Sequence, residues 1–296
     1  MRKLLFVLLT LGTALALAAA SATPAPEWVE FTGVTTPPTP FTLKQAKARG
    51  IELQQEPGTP LRGLLVRPDG AGPFPAVVLL HGCDGVQPFQ EQWAADVAKW
   101  GYVALLADSH GPRGIGDDCA NWPPTADSRV FDAFGALRYL SSLTFVDAGR
   151  VGVIGWDTGG GVVQGVLEAK GVQQLVAERF AVGVELYPIG WPNGPVFAPV
   201  LLLVGDRDDC FPAARIQHAM AAFDPGSVPL VLEVLPGASH SFDNPHFAEP
   251  VHFTYAQALQ CYEMDTTMTG TTMTYSKVAR DVAVERVHAF LEEHLK

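Results

Sequence analysis

The chain has no run of clustered lysine and arginine and no stripe in which basic and aromatic residues interleave. Its 20 basic residues are outnumbered by 31 acidic ones, giving a formal charge of −11 over 296 residues. Nucleic-acid binding draws most of its affinity from neutralised phosphates, so this balance excludes nucleic acid as a partner. Cysteine is scarce, with 4 residues, and no two of them stand in the C-x-x-C spacing of a zinc or redox site. No internal repeat is present. Long apolar runs are absent except at the N-terminus, where the run is short for a membrane span.

That N-terminal stretch, "MRKLLFVLLTLGTALALAAASA", places Arg2 and Lys3 before an apolar core and ends in Ala20-Ser21-Ala22. The pattern predicts a secretory signal peptide over residues 1–22, removed on export to the periplasm or the extracellular space; a membrane anchor is the alternative. Loss of Arg2 and Lys3 takes the formal charge from −11 to −13. About 270 residues then remain, which with 48% hydrophobic content suits one large α/β domain. A Pro- and Thr-rich lead suggests an irregular arm over 23–45, with the domain proper over 46–296. The mature chain is expected not to engage membrane, and nothing in it implies a cofactor or a metal. His246 and His252, six residues apart with acids nearby, are a weak metal pattern.

An oxidising compartment permits disulfides among Cys83, Cys119, Cys210 and Cys261. Three connectivities are possible, and pairing nearest neighbours joins Cys83 to Cys119 and Cys210 to Cys261. Free buried thiols are the alternative.

Along the chain, "GIELQQ" and "LRGLLVRP" alternate as antiparallel strands do. Thereafter continuous apolar strands ("FPAVVLLHG", "YVALLADS", "RVGVIG", "FAVGVELYP", "APVLLLVGDRDD", "VPLVLEVLPGASH") alternate with amphipathic helices. This predicts a mostly parallel central sheet with helices on both faces. In such sheets the site lies beyond the carboxyl ends of the strands. The residues there are His81-Gly82-Cys83, Asp157, Asp208 and His240. A turn residue, an acid and a histidine in that chain order suit nucleophilic catalysis, although each alone is more often a turn, a cap or a satisfied polar group.

The pieces "VVLLHGCDG", "GYVALLADSHGPRG", "RVFDAFGALRYLSSLTFVDAGRVGVIGW", "LLLVGDRDDCFPA" and "GASHSFD" resemble the dienelactone hydrolase family, over about Pro75 to Asp243. The resemblance implies an α/β-hydrolase fold and a small-molecule ester or lactone substrate. It also implies that Asp208 orients His240 as base, with the backbone N–H groups of Cys83 and Thr158 as the oxyanion hole.

Serine and cysteine are missing where that family carries its nucleophile. The elbow reads Gly155-Trp156-Asp157-Thr158-Gly159, so Asp157 holds the tip. Three readings follow: a family-typical hydrolase of small esters or lactones, a noncatalytic ligand-binding relative, and an aspartate-nucleophile hydrolase acting at saturated carbon. The third resembles haloalkane dehalogenases and epoxide hydrolases. Only "IGWPNGPVF" separates two neighbouring strands where a cap would be inserted, so no separate cap domain is expected. His110, Arg113 and Trp156 are expected at the edge of the substrate site, with bracing of its own loop as the alternative for Arg113. Asp84 carries the same ambiguity, with a turn-forming role preferred. The segment after His240 is expected to be a packed surface loop tied by Cys261, a substrate lid being the alternative.

Overall fold

The computed structural model describes residues 25–35, 49, 57–117, 119–120, 126–169, 171–190, 194–221, 228–254, 257, 261 and 270–296. The leader over 1–22, most of the 23–45 arm and the "GIELQQ" segment lie outside the described residues.

Eight strands form one sheet: β1 (Glu27–Thr32), β2 (Pro60–Val66), β3 (Phe74–Leu80), β4 (Val103–Asp108), β5 (Val146–Trp156), β6 (Val182–Leu186), β7 (Val200–Gly205) and β8 (Leu230–Leu235). Their spatial order is β1-β2-β4-β3-β5-β6-β7-β8. The pairs β1·β2 and β2·β4 are antiparallel, and every pair from β4 to β8 is parallel. Strand β1 corrects the expectation of an irregular arm. Val29 and Phe31 turn toward the core, and the strand pairs with β2 from Glu27 opposite Leu65 to Thr32 opposite Pro60.

The parallel strands are mostly apolar because both faces of the central sheet are covered. In β3, Ala76, Val78 and Leu80 join the core on one face, while Val77 and Leu79 join the core on the other. Helices α2 (Ala126–Ser142), α3 (Thr158–Leu167) and α4 (Ala213–Ala221) pack into the first of these cores. Helices α1 (Pro88–Lys99) and α5 (Lys277–Leu295) pack into the second. Ser276 caps α5 by accepting a hydrogen bond from Ala279 N–H. No helix among the described residues is long and apolar enough to cross a membrane.

Beyond β8 the chain makes a small ribbon, β9 (Val251–Thr254) antiparallel to β10 (Gly270–Met273). A bridge between His240 and Met273 fixes the ribbon beside the loop that follows β8. Both disulfides have the nearest-neighbour connectivity, Cys83–Cys119 and Cys210–Cys261.

Candidate active site

Asp157 occupies a sharp turn between β5 and α3, with φ 53° and ψ −121°. An L-residue adopts this conformation only when its surroundings impose it. Here Asp157 N–H donates to Leu186 O at 3.1 Å, and its carbonyl accepts from Gly160 N–H at 2.9 Å and Ile189 N–H at 3.0 Å. Gly159 then runs directly against the backbone carbonyls of Leu80 and His81, where any side chain would collide. That close approach brings the elbow onto the loop after β3.

The two carboxylate oxygens of Asp157 have separate surroundings. Oδ2 accepts a hydrogen bond from Cys83 N–H at 2.9 Å, and Thr158 N–H also bonds the carboxylate. Both N–H groups expected to form the oxyanion hole therefore point at the elbow's own side chain. Oδ1 lies 3.4 Å from His240 Nε2, an ion-pair contact longer than an ordinary hydrogen bond. On the far side of the ring, His240 Nδ1 meets Asp208 Oδ2 at 3.0 Å. Asp208 Oδ1 is fixed in turn by Cys210 N–H at 3.0 Å and Phe211 N–H at 2.8 Å.

These contacts decide the charges. Burial works against an imidazolium at His240, but the Asp208 charge, the contact with Asp157 and the hydrogen bond that His240 donates to Asp208 outweigh it and push the group up to about 10. Burial likewise opposes ionisation of Asp157, yet the hydrogen bond and charge of His240, with the N–H groups of Thr158 and Cys83, hold it below its usual range. Its place at the N-terminus of α3 also favours the anion. At neutral pH the site is thus a carboxylate, an imidazolium and a second carboxylate in line.

Surrounding groups hold this line in place. Asp243 is fully buried and accepts from Trp93 Nε1 at 2.8 Å, Trp156 Nε1 at 2.9 Å and Tyr187 Oη at 2.6 Å. Tyr187 packs edge-on against the His240 ring. Arg129, on α2, donates to Thr158 Oγ1 at 2.9 Å and to the His81 carbonyl, and so ties together the turn at Asp157 and the loop after β3. His81 is kept neutral chiefly by burial; Nδ1 donates to Gly82 O at 2.7 Å and Nε2 accepts from Ser109 N–H at 3.1 Å.

A cavity of about 320 Å³ opens over Asp157 and His240. Three residues with positive φ other than glycine, Asp157, Tyr187 and Ser241, all line it. Strained backbone among the described non-glycine residues is therefore concentrated at one place. Trp156 lines the cavity as expected, its indole N–H committed to Asp243. Arg113 and His110 do not. Arg113 makes a two-pronged ion pair with Asp132 at 2.7 and 2.9 Å and also donates to Ser109 O, so it braces its own loop. His110 is buried edge-on against His81, away from the cavity. Both follow a strand end, but their side chains turn back under the loop.

The segment after His240 departs from the expected surface loop, because Asn244, His246, Phe247, Phe253 and Met273 all line the cavity. The alternation in Val251–Thr254 was the signal for a strand here, and it is short. His252 turns aside to Thr272 Oγ1 at 3.1 Å. Asp84, for which a turn-forming role was preferred, also lines the cavity, and sequence reasoning passed over Arg129, Tyr187 and Asp243. Asp243 stands three residues beyond His240, and that spacing was its only mark.

The geometry sets the Asp157 carboxylate, His240 and Asp208 in line at the strand ends, and relatives place the chain more closely. A protein of Bradyrhizobium sp named "Probable 2-oxo-3-(5-oxofuran-2-ylidene)propanoate lactonase" is 30% identical over 202 residues, 62% of this chain and 79% of its own. An uncharacterized protein of Mycobacterium tuberculosis is 26% identical over 211 residues, 65% of this chain and 72% of that protein. Among solved structures, a dienelactone hydrolase-like promiscuous phosphotriesterase from metagenomic libraries superposes with a TM-score of 0.61 at 20% identity, covering 80% of this chain and 94% of the other. Esterase 2 of Thermogutta terrifontis, phosphorylated by paraoxon, gives 0.54 at 17% identity, covering 79% and 89%. The family model for dienelactone hydrolases matches residues 61–295, from β2 to the end of α5, and the chain belongs to the dienelactone hydrolase family.

Proposed function

We propose that the protein is an exported hydrolase whose nucleophile is the Asp157 carboxylate, acting on a small molecule at a saturated carbon. The observation that supports this reading is the division of labour between the carboxylate oxygens of a residue that lines the cavity: Oδ2 accepts from Cys83 N–H while Oδ1 is turned to His240. Acyl transfer is poorly served by this arrangement. A substrate carbonyl would need the donors that Oδ2 already holds, and a carboxylate attacking an acyl carbon gives a mixed anhydride in which it is the better leaving group.

Displacement at saturated carbon is well served. Oδ1 attacks, the leaving group departs with its electron pair, and Asp157 becomes an ester whose carbonyl oxygen is already on Cys83 N–H. Alkylation erases one of the two charges that keep His240 protonated, so the imidazolium gives up its proton. Neutral His240, oriented by Asp208, then takes a proton from water attacking Asp157 Cγ. The developing charge falls on Oδ2 and is met by donors in place before the reaction begins. Export is supported by the leader sequence and by two disulfides, which persist in oxidising compartments.

The test is intact-mass measurement of the wild type, His240→Gln and Asp157→Asn after incubation with 1-iodobutane or styrene oxide. His240→Gln should accumulate one alkyl adduct on the peptide holding Asp157, and Asp157→Asn none. Rapid turnover of a nitrophenyl ester by the wild type, with no alkyl adduct in any variant, overturns the reading.

The lactonase relative favours a second reading, hydrolysis of a small ester or lactone at its acyl carbon. That chemistry requires the Asp157 side chain to leave the oxyanion hole, and it yields ester turnover without alkylation. A chain that only binds its ligand gives neither.

A further inference from the structure

We propose that Asp84 is the proton donor to the leaving oxygen in this reaction, and that the substrate is a small neutral epoxide. The inference rests on the carboxylate-nucleophile reading above and names its substrate class.

Asp84 and Asp157 flank one gap. A methyl group on Gly82 would meet Asp157 Oδ2 at 3.1 Å and Asp84 Oδ1 at 3.2 Å, so the missing side chain is what lets the two carboxyl groups share the cavity wall. The Asp84 turn is held from behind: Gln87 Nε2 donates to Asp84 O at 2.7 Å, and Gln87 N–H donates to Gln90 Oε1 at 2.9 Å at the start of α1. Around Asp84 stand Asp157 from the elbow, Asp117 from the loop after β4, Tyr187 after β6 and Arg129 from α2. Burial, then the Asp157 charge, pushes Asp84 up to about 7; Asp117 adds to this and Arg129 opposes it. One wall thus holds an ionised carboxylate beside a carboxyl group that keeps its proton up to neutrality. Two such groups driven apart in acidity are the arrangement of a nucleophile with a general acid.

The identity of the leaving group follows. A halide departs as an anion and needs no proton, so a protonated carboxyl group in the cavity wall adds nothing that its departure requires. An alkoxide is too basic to leave unaided, and a neighbouring carboxylic acid answers that need. Ring strain makes an epoxide carbon open to a carboxylate, and the ring's small size suits a cavity of about 320 Å³. Oδ1 of Asp157 forms a bond to a ring carbon as the ring C–O bond breaks. The freed electron pair stays on oxygen, which takes the Asp84 proton. The product is a hydroxyalkyl ester on Asp157, with Asp84 now ionised. The His240 proton passes to Asp84 through solvent, His240 takes a proton from the attacking water, and collapse of the tetrahedral adduct releases a diol. The new carboxylic acid gives its proton to the departing alkoxide, so Asp157 and His240 return to their starting charges and the net change is addition of one water.

The experiment compares adduct formation by His240→Gln and by His240→Gln with Asp84→Asn, using styrene oxide and 1-iodobutane across pH 5–9. With the epoxide, Asp84→Asn should slow adduct formation by on the order of 10²-fold or more. The His240→Gln rate should fall as pH rises through about 7. With 1-iodobutane, both variants should react at the same rate, which also reports that Asp84→Asn is folded. Equal slowing with both reagents, or slowing with neither, overturns the role of Asp84 while leaving the nucleophile reading intact. Absence of adduct with either reagent overturns both.

Discussion

Asp157 combines a backbone angle imposed by its neighbours with a side chain that occupies the site's own anion-binding donors. Its charge is inseparable from that of His240, which the paired carboxylates push up to about 10 from an ordinary value near 6.5. The sign of the linkage follows from the direction of the shift. Stability contributed by the raised imidazolium is complete below about pH 6.5 and is lost as pH rises through about 10. The Asp157 share, from a lowered pKa, is present above its ordinary value near 3.8 and is lost as pH falls below it. Asp157→Asn removes one of the two charges facing His240. The histidine ring resonances should then titrate at least one pH unit lower by NMR, and urea unfolding between pH 7 and 10 should be flatter than in the wild type. An unchanged histidine midpoint would show that Asp208 alone sets the imidazolium.

The elements position the site through close backbone contact, and two glycines separate this function from stability. At Gly159 a side chain meets the carbonyls of Leu80 and His81, so Gly159→Ala forces α3 away from β3 and should lower unfolding free energy by several kcal/mol. At Gly82 an added methyl meets the Asp157 and Asp84 side chains at 3.1–3.2 Å instead of fixed main chain. Gly82→Ala should leave the thermal midpoint within a few degrees of wild type while slowing adduct formation at Asp157 at least about 10-fold, a cost of about 1.4 kcal/mol in the barrier. A large drop in midpoint with unchanged reactivity would reverse that assignment. Much of this layout was legible in the sequence. The parallel strands announce themselves as apolar runs because both faces are buried, and Asp157, Asp208 and His240 follow their ends directly. Strand β1 was hidden because its two inward residues, Val29 and Phe31, stand just before a Pro-Thr stretch. Arg113 and His110 were misplaced because a strand end locates a residue without fixing where its side chain turns. Asp84 reads as a turn residue, and its closeness to Asp157 depends on a glycine two positions away in the chain.

At the scale of the whole molecule, both disulfides start from the site. Cys83 donates its N–H to Asp157 and is tied to Cys119, which also lines the cavity. Cys210 donates its N–H to Asp208 and is tied to Cys261. Loops of 36 and 51 residues are closed, each contributing roughly 4 kcal/mol by chain entropy. Paired replacement of Cys83 and Cys119 by serine should lower unfolding free energy by up to roughly that amount. It should also slow adduct formation under conditions where circular dichroism reports a folded chain. Loss of stability with unaltered reactivity would mean that the covalent link serves the fold alone.

The seating of Asp157 Oδ2 on Cys83 N–H also bears on poisoning. Organophosphates and fluorophosphonate probes inactivate hydrolases of this fold by putting a phosphoryl oxygen on those donors while a hydroxyl or thiol takes the phosphorus. Here the donors are occupied, and the available nucleophile would give an acyl phosphate, a labile anhydride that water removes. On the proposed reading, incubation with a fluorophosphonate probe should leave no stable adduct on this chain. The same reading directs inactivation to alkylating agents, whose ester at Asp157 would lie against His240.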